Sequence, residues 1–292
     1  MTKPYLLTMD GVEVLVYKLG ITEVNYVPGL KSAILEVQET LATVMKNMIP
    51  PDYQLKIVYA SSLSEGIDKA TSKIKKMNGS GLVVSLDRVY GSTADFHLEV
   101  TRETDPTSGS YRIANRFGAP AVDEQLNLLR DMMKSCSYNG IILTDVGSFE
   151  GKTLDFMMDE MRKFGITTLG VVLGVSSEKL AEKLKNKYNG SSAVVETLAA
   201  DQNYEWLEMR DLLLLDGRKV PSEYTKDGIR RYIPYTEDLH SYASIPEDKV
   251  EECKAYCNKA YSEIARLLRN AGVDVDKRVG KFIQLTKSLS RG

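Results

Sequence analysis

Histidine, cysteine and a charge excess of either sign are scarce in this chain. Two histidines and three cysteines occur among 292 residues, and Cys136, Cys253 and Cys257 lack the paired spacing typical of a zinc site. So few cysteines also argue against a secreted fold built on disulfides. The formal net charge of −2 provides no basic field to attract nucleic acid or an anionic membrane. We therefore expect a reduced, cytoplasmic protein that binds no nucleic acid.

Long apolar runs are absent as well. No segment approaches the roughly 20 apolar residues of a membrane-spanning helix. The N-terminal MTKPYLLTMDGVEV lacks the basic start and apolar stretch of a signal peptide. What remains is an ordinary globular composition, with 43% apolar and 27% charged residues. The length is sufficient for a sizeable core in one or two domains, and we expect no membrane partner.

Strand and helix patterns alternate along most of the chain. The runs GLVVSL, GIILTD and ITTLGVVLGV are typical of buried strands, and segments with apolar residues at helical spacing separate them. Such alternation predicts an α/β fold, a mostly parallel sheet with helices on both faces. We predict three segments: an N-terminal β-hairpin at 1–27 that turns at Asp10-Gly11, an α/β core at 28–245, and a C-terminal helical segment at 246–292.

One stretch combines a strand, a polar loop and a helix start. IILTDVGSFEGKTLDFMMDEM, residues 141–161, places Asp145 at the end of the apolar run and Gly151 just before the helical pattern. Ligands of open α/β sheets bind at the carboxyl ends of strands. Backbone N–H groups and the positive end of a helix also favour an anion. This stretch is therefore the candidate anion site, although a Gly-Lys-Thr sequence can also be a plain helix start.

A Walker A loop is the first motif to compare with this stretch. Its pattern, G-x-x-x-x-G-K-[ST], wraps the phosphates of a nucleotide. Here VGSFEGKT has Val146 at the first glycine position, where a β-branched residue resists the required backbone geometry. No downstream strand ending in Asp is convincing as a Walker B partner. The pattern therefore argues against a P-loop nucleotidase.

The same stretch resembles the phosphoribosyl-diphosphate loop of type I phosphoribosyltransferases. The family pattern is an apolar strand, then two acids, a few residues and Thr-Gly-x-Thr. Asp145 matches the second acid, Gly151 matches the glycine and Thr153 matches the last threonine. The order of elements is similar across residues 27–217. The resemblance implies transfer of a phosphoribosyl group from phosphoribosyl diphosphate to a nucleobase or similar acceptor. It also implies Mg²⁺, carried by the diphosphate, with Asp145 as the candidate protein ligand, and it allows a homodimer.

The resemblance also implies roles for individual residues. Asp145 and Thr144 would contact the ribose, with Asp145 and Glu150 as the catalytic residues. The phosphate cradle would consist of Gly147, Ser148, Gly151, Lys152 and Thr153. The diphosphate would be bound by Ser61, Ser62, Arg88 and Arg231. The base would be contacted by Trp206 and Asp216. The terminal segments would form the hood that selects the base.

Two departures from the family pattern leave other functions open. Thr144 stands where the family has its first acid, and Glu150 stands where it has Thr. A carboxylate close to a phosphate is repulsive by ~1–4 kcal/mol, unless Lys152 offsets Glu150 or Glu150 faces the base. The alternatives are a catalytically silent, nucleotide-binding regulatory protein of the same fold, and a ribosyl transferase or hydrolase acting on a ligand without a 5′-phosphate.

Overall fold

The computed structural model describes residues 2–11, 27–87, 89–91, 93–104, 111–115, 119–199, 204–213, 219–224, 230–234 and 239–273, and the backbone alone for 101–104, 111–112, 219–224, 230–234 and 241–242. The strands are β1 Lys3–Met9, β2 Tyr53–Tyr59, β3 Gly81–Ser85, β4 Phe96–His97, β5 Val100–Thr104, β6 Tyr111–Asn115, β7 Gly140–Ser148, β8 Thr168–Ser177, β9 Ser192–Leu198, β10 Glu205–Glu208, β11 Lys219–Tyr224 and β12 Arg230–Pro234. The helices are α1 Leu30–Met48, α2 Ala60–Asn78, α3 Val122–Ser135, α4 Lys152–Lys163, α5 Glu178–Tyr188, α6 Met209–Leu212, α7 Leu239–Ala243 and α8 Val250–Asn270, with a 3₁₀ turn at Glu247–Lys249.

Contacts within the chain separate two compact units. The first unit comprises residues 1–60 and 202–292, and the second comprises residues 61–201. The three segments predicted from the sequence have other boundaries and stay a prediction. No described helix is both long and apolar enough to cross a bilayer.

A parallel three-stranded sheet, in the order β10-β1-β2, organises the first unit. Leu7 of the central strand lies opposite Leu207 on β10 and Ile57 on β2. Alternate residues of the sheet pack against α1 and α8, because successive side chains of a strand point to opposite faces. The core so formed includes Tyr5, Leu7, Met9, Ile34, Leu41, Met45, Leu207, Cys253, Ile264 and Leu268.

The hairpin predicted at the N-terminus is wrong for β1. This strand has a parallel partner along each edge, β10 on one side and β2 on the other. Neither edge is therefore left for a strand that turns back at Asp10-Gly11. Residues 12–26, which contain the predicted second strand, lie outside the described part of the chain.

Five parallel strands, in the order β4-β3-β7-β8-β9, form the sheet of the second unit. The α/β fold with parallel sheets flanked by helices is thus confirmed. One face of this sheet, which includes Leu143 and Leu173, packs against the apolar sides of α3, α4 and α5. Helix α4 contributes Leu154 and Met157 to that core, three residues apart on one side of the helix.

Helix α2 packs against the opposite face of the five-stranded sheet, with glycines at the points of closest contact. A Cβ atom added at Gly66 of α2 would lie 2.5 Å from Cγ1 of Val195, and one added at Gly170 would lie 2.9 Å from Cγ2 of Ile74. Gly170 alternates along β8 with Val171, which faces the other helices. The missing side chains therefore allow α2 to approach the sheet closely.

Two segments of strand-like composition are interrupted in the structure. DFHLEVTRE divides into β4 and β5, and β5 pairs with β6 in an antiparallel ribbon. Strand β10 stops at Glu208, and α6 begins at Met209, within an apolar run of the sequence. The Glu208 side chain accepts from the backbone N–H of Asp211 and the Asp211 side chain accepts from that of Glu208, a capping box that starts a helix. Helix α8 confirms part of the predicted C-terminal helical segment, and residues 274–292 lie outside the described part.

Candidate functional site

The strand order of the second unit changes direction beside β7. The chain passes from β3 to β4 on one side of β3, and β7, β8 and β9 follow on its other side. The direction of strand addition therefore reverses between β3 and β7, and such a point is where open α/β sheets bind ligands. Pairing of β3 with β7 ends at Thr144, whose carbonyl oxygen accepts from the backbone N–H of Leu86 at 2.9 Å. Beyond it, residues 145–148 of β7 continue beside β8.

Asp145 is the acid at this edge. Its side chain is partly exposed, and Oδ1 accepts a hydrogen bond from the backbone N–H of Val146 at 2.8 Å. By strand alternation Asp145 lies on the face of Leu143, whereas Thr144 lies on the opposite face. Thr144 is 1% exposed, with its hydroxyl 3.5 Å from the carbonyl oxygen of Val84. Asp145 is thus accessible to a ligand, and the burial of Thr144 argues against a ribose contact there.

The polar loop is shorter than the sequence indicated. Gly147 and Ser148 belong to β7 and lie opposite Val175 and Ser176 of β8, which leaves three residues, 149–151, between β7 and α4. Ser148 is 2% exposed, and its Oγ has no hydrogen-bond partner in the described part of the chain. Of the five residues of the predicted phosphate cradle, two therefore belong to β7 and three to the start of α4.

Gly151 begins α4 in a conformation that favours glycine. Its φ is +78°, in the left-handed region, and an added Cβ would lie 3.0 Å from Cδ1 of Leu180. As the N-cap residue it provides no side-chain acceptor for the first amides of the helix. The carbonyl oxygen of Phe149 accepts from Oγ of Ser177 at 2.9 Å, and Ser177 Oγ in turn caps α5 by accepting from the N–H of Leu180 at 3.2 Å. The positive end of α4 is consequently held in place without an acidic cap.

The two charged residues of the loop form an ion pair. Lys152 Nζ lies 2.5 Å from Glu150 Oε2, and the two side chains are 77% and 66% exposed. This pairing is one of the two arrangements that the sequence left open for Glu150. Lys152 therefore offsets the carboxylate next to the helix start, and both groups remain available to solvent.

The segment after β3 lies next to this edge of β7, where the backbone N–H of Leu86 donates to Thr144. Asp87 Oδ1 accepts from the backbone N–H groups of Val89 at 2.7 Å and Tyr90 at 2.9 Å, and Ser85 Oγ donates to the Asp87 carbonyl oxygen at 2.6 Å. Asp87 thus folds a turn, as short acidic side chains commonly do. Arg88, predicted to bind the diphosphate, lies outside the described residues.

The remaining predicted site residues lie elsewhere. Ser61 and Ser62 are exposed in the first turn of α2. Trp206 is on β10 of the first unit, and its indole N–H donates to Thr8 Oγ1 at 2.9 Å. Arg231 is on β12, of which only the backbone is described, and Asp216 lies outside the described residues. The structure thus brings together the β7 and α4 residues, while the roles of Arg88 and of these five residues stay predictions.

A buried charge cluster in the first unit was missed. It consists of Asp10, Glu208, Arg210 and Asp211, with Asp10 directly after β1 and the others where β10 meets α6. Arg210 Nη1 lies 3.0 Å from Asp10 Oδ1, and Arg210 Nη2 contacts Glu208 Oε1. The sequence feature that could have indicated this cluster is Asp10, an acid directly after an apolar strand. The Asp10-Gly11 pair was predicted to be a hairpin turn.

The donor set at β7 bears on the predicted Mg²⁺. No group of three or more His, Cys, Asp or Glu side chains within the described ranges could hold a metal ion. Asp145 is a single carboxylate, and the nearby Glu150 pairs with Lys152. Mg²⁺ keeps several waters and often binds through one carboxylate together with substrate phosphates. These residues fit an ion that arrives with a diphosphate better than an ion held by the protein alone.

Comparison with known proteins identifies no relative by sequence. No family model and no curated protein matches the chain. Among solved structures, a purine phosphoribosyltransferase from Pyrococcus horikoshii Ot3 is similar over 50% of this chain and 93% of its own, with 12% identity and a TM-score of 0.29. At these values the comparison leaves the family of the chain open.

Proposed function

We propose that the carboxyl end of β7 and the start of α4 bind a sugar phosphate, and that the protein transfers a phosphoribosyl group from phosphoribosyl diphosphate to a nucleobase or similar acceptor. One observation carries this proposal. Asp145 is partly exposed on β7, the strand that leads into the uncapped helix start at Gly151. A carboxylate suits ribose hydroxyls, and a helix start suits a phosphate.

The proposed reaction needs charge stabilisation and positioning. Diphosphate leaves C1 of the ribose as positive charge develops on the sugar, so fixed charges and a fixed geometry lower the barrier. Mg²⁺ bound to the diphosphate would neutralise its negative charge as it departs. Asp145 orients the ribose by accepting from its hydroxyl groups. The first amides of α4, together with Lys152, hold the 5′-phosphate, and Ser177 keeps the loop in position through the Phe149 carbonyl oxygen.

Binding without catalysis is the second candidate. The motif that the sequence resembles has two acids at the strand end, whereas here the first position is Thr144, buried at 1% exposure. A single acid then faces the ligand, and less negative charge is available to stabilise a cation-like sugar. A protein with this site would bind a nucleotide or sugar phosphate and respond to it.

Turnover and binding assays distinguish the two candidates. The protein is incubated with Mg²⁺, phosphoribosyl diphosphate and a panel of bases, and diphosphate release is measured beside calorimetric binding. Release that requires both Mg²⁺ and a base supports the transferase. Binding without release supports the second candidate. If phosphoribosyl diphosphate does not bind, both candidates are contradicted. If the protein instead releases the leaving group of a ribosyl ligand that lacks the 5′-phosphate, it is a ribosyl transferase or hydrolase.

Asp145→Asn tests the site itself. Replacing the ionised hydrogen-bond partner of the ribose removes about 1.5–3 kcal/mol, a loss of roughly tenfold to 100-fold in affinity or rate. Asp159→Asn is the matched control, because Asp159 is an exposed acid further along α4 that pairs with Arg162 at 3.0 Å. Equal affinities and rates for the Asp145 variant and the control would discredit this assignment.

A further inference from the structure

The buried charge cluster shares one guanidinium between two carboxylates. Asp10 Oδ2 accepts from the backbone N–H of Arg210 at 2.8 Å, and Asp10 Oδ1 lies 3.0 Å from Arg210 Nη1. The second terminal nitrogen of the same guanidinium contacts Glu208. The guanidinium is therefore divided between the end of β1 and the end of β10, the two neighbouring strands of the sheet.

Burial makes this arrangement sensitive to protons. Asp10 is 0% exposed and Arg210 is 2% exposed. A carboxylate so fully removed from water needs a counter-charge of its own or a proton, and the counter-charge here is shared with Glu208. Burial raises the pKa of Asp10 to about 7, with Glu208 and Asp211 adding to the rise and Arg210 opposing it.

The groups around Asp10 come from three elements. Glu208 faces it from β10, and Arg210 and Asp211 face it from α6. From α1, the neutral Gln38 donates to the Asp10 backbone carbonyl oxygen at 2.8 Å.

We propose that the buried charge cluster is a proton-binding latch, which ties the end of β1 to the start of α6 and loosens as the pH rises through neutrality. With a proton on Asp10, the carboxyl is neutral, its Oδ2 still accepts from the Arg210 backbone N–H, and the guanidinium serves Glu208. Loss of that proton leaves two carboxylates competing for one cation inside the first unit. The latch is a property of the first unit and does not depend on the proposed activity.

The direction of the effect follows from proton linkage. The folded unit binds a proton at Asp10 more tightly than the unfolded chain, whose Asp pKa is about 3.9. Stability is therefore highest when Asp10 is protonated and is lost as the pH rises from the unfolded to the folded pKa. One linked proton changes the unfolding equilibrium constant by up to about tenfold per pH unit.

Unfolding in urea, followed by tryptophan fluorescence, tests the latch. Trp206 is the one tryptophan of the chain, and it lies on β10 two residues before Glu208, so its emission reports on the first unit. Relative to Asp10→Asn, the unfolding constant of the natural protein is expected to rise about 50-fold between about pH 5 and pH 7 and to level off above about pH 8. If the unfolding constants of the natural protein and of Asp10→Asn change equally with pH over this range, the proposal is overturned.

A control and a second measurement complete the design. Glu251→Gln removes an acid of α8 whose side chain is 86% exposed, and its pH profile is expected to follow that of the natural protein. Infrared difference spectra of the natural protein give a readout that needs no variant, since a protonated buried carboxyl has its own C=O band. That band is expected to fade between about pH 5 and pH 8. Its absence at the lower pH also overturns the proposal.

Discussion

Removing the charge of Glu150 or of Lys152 separates an effect on ligand binding from an effect on folding. The two groups form an exposed pair at 2.5 Å beside the start of α4. Exposed pairs contribute about 0–1 kcal/mol to folding, so Lys152→Gln and Glu150→Gln should each leave the fold nearly unchanged. A bound 5′-phosphate, in contrast, would feel each charge directly.

The expected size of the effect follows from Coulomb's law. A unit charge about 4 Å from the phosphate contributes about 1 kcal/mol in water and about 4 kcal/mol at the effective dielectric of a protein surface. Because both side chains are mostly exposed, we expect the lower part of this range, on the order of tenfold in affinity. Lys152→Gln should weaken binding by that factor, Glu150→Gln should strengthen it, and the double variant should bind as the natural protein does.

Calorimetric titration with ribose 5-phosphate, and with phosphoribosyl diphosphate plus Mg²⁺, measures these affinities. The differences should shrink as salt is added, because screening acts over about 8 Å at physiological ionic strength. Lys163→Gln provides the matched control, since Lys163 pairs with Glu160 at 2.7 Å at the other end of the same helix. If both single variants bind as the control does, or if both shift affinity in the same direction, the phosphate is not held at the start of α4.

Two further predictions concern stability. Gly66→Ala should lower the free energy of unfolding by about 1–3 kcal/mol, because the clash with the stiff Val195 side chain outweighs the roughly 1 kcal/mol gain in helix propensity. Adding Val195→Ala should recover part of that loss in urea unfolding, and no recovery would place the strain elsewhere. Arg210→Met should cost about 3–5 kcal/mol by leaving buried carboxylates without their cation. Adding Asp10→Asn should reduce this cost in a thermal melt, whereas simple additivity of the two losses would contradict the shared-guanidinium geometry.

The second unit was predictable because its strands are buried on both faces. Continuous apolar runs such as GLVVSL and GIILTD occur where helices cover both sides of a sheet, and the helices between them carry one apolar side. These local patterns suffice for the α/β fold. The close approach of α2 was not predicted, since it depends on Gly66 meeting Val195 on another element.

The first unit was harder to predict because its sheet joins distant parts of the chain. Trp206 and Thr8, hydrogen-bonded across β10 and β1, are 198 residues apart. A hairpin turn at Asp10-Gly11 was the best local interpretation, and no local pattern indicated β10 as a parallel partner. Likewise, the apolar residues after Glu208 fit a strand by composition, whereas the capping box between Glu208 and Asp211 starts a helix.

The candidate site was predictable in position and less so in extent. Gly151 stands at the start of α4, where the sequence placed it, and Asp145 lies on β7, three residues before the end of the strand. The strand was expected to end at Asp145, but pairing with β8 continues to Ser148. That pairing fixes which face each residue occupies, and it buries Thr144 on the face opposite Asp145. Residue type alone does not contain this information, because register is set by the neighbouring strand.

Asp10 and Asp145 show how surroundings decide what one residue type does. Asp10 directly follows β1, and Asp145 lies on β7 directly after its pairing with β3 ends. Both strands have a parallel neighbour along each edge. Asp10 is fully buried beside Arg210, and a carboxyl without access to water can exchange little more than a proton. Asp145 is partly exposed and hydrogen-bonded to its neighbouring amide, so it can exchange water for the hydroxyl groups of a ligand. The same sequence pattern, an apolar run followed by Asp, therefore predicts a proton site in one unit and a ligand site in the other once burial and counter-charge are known.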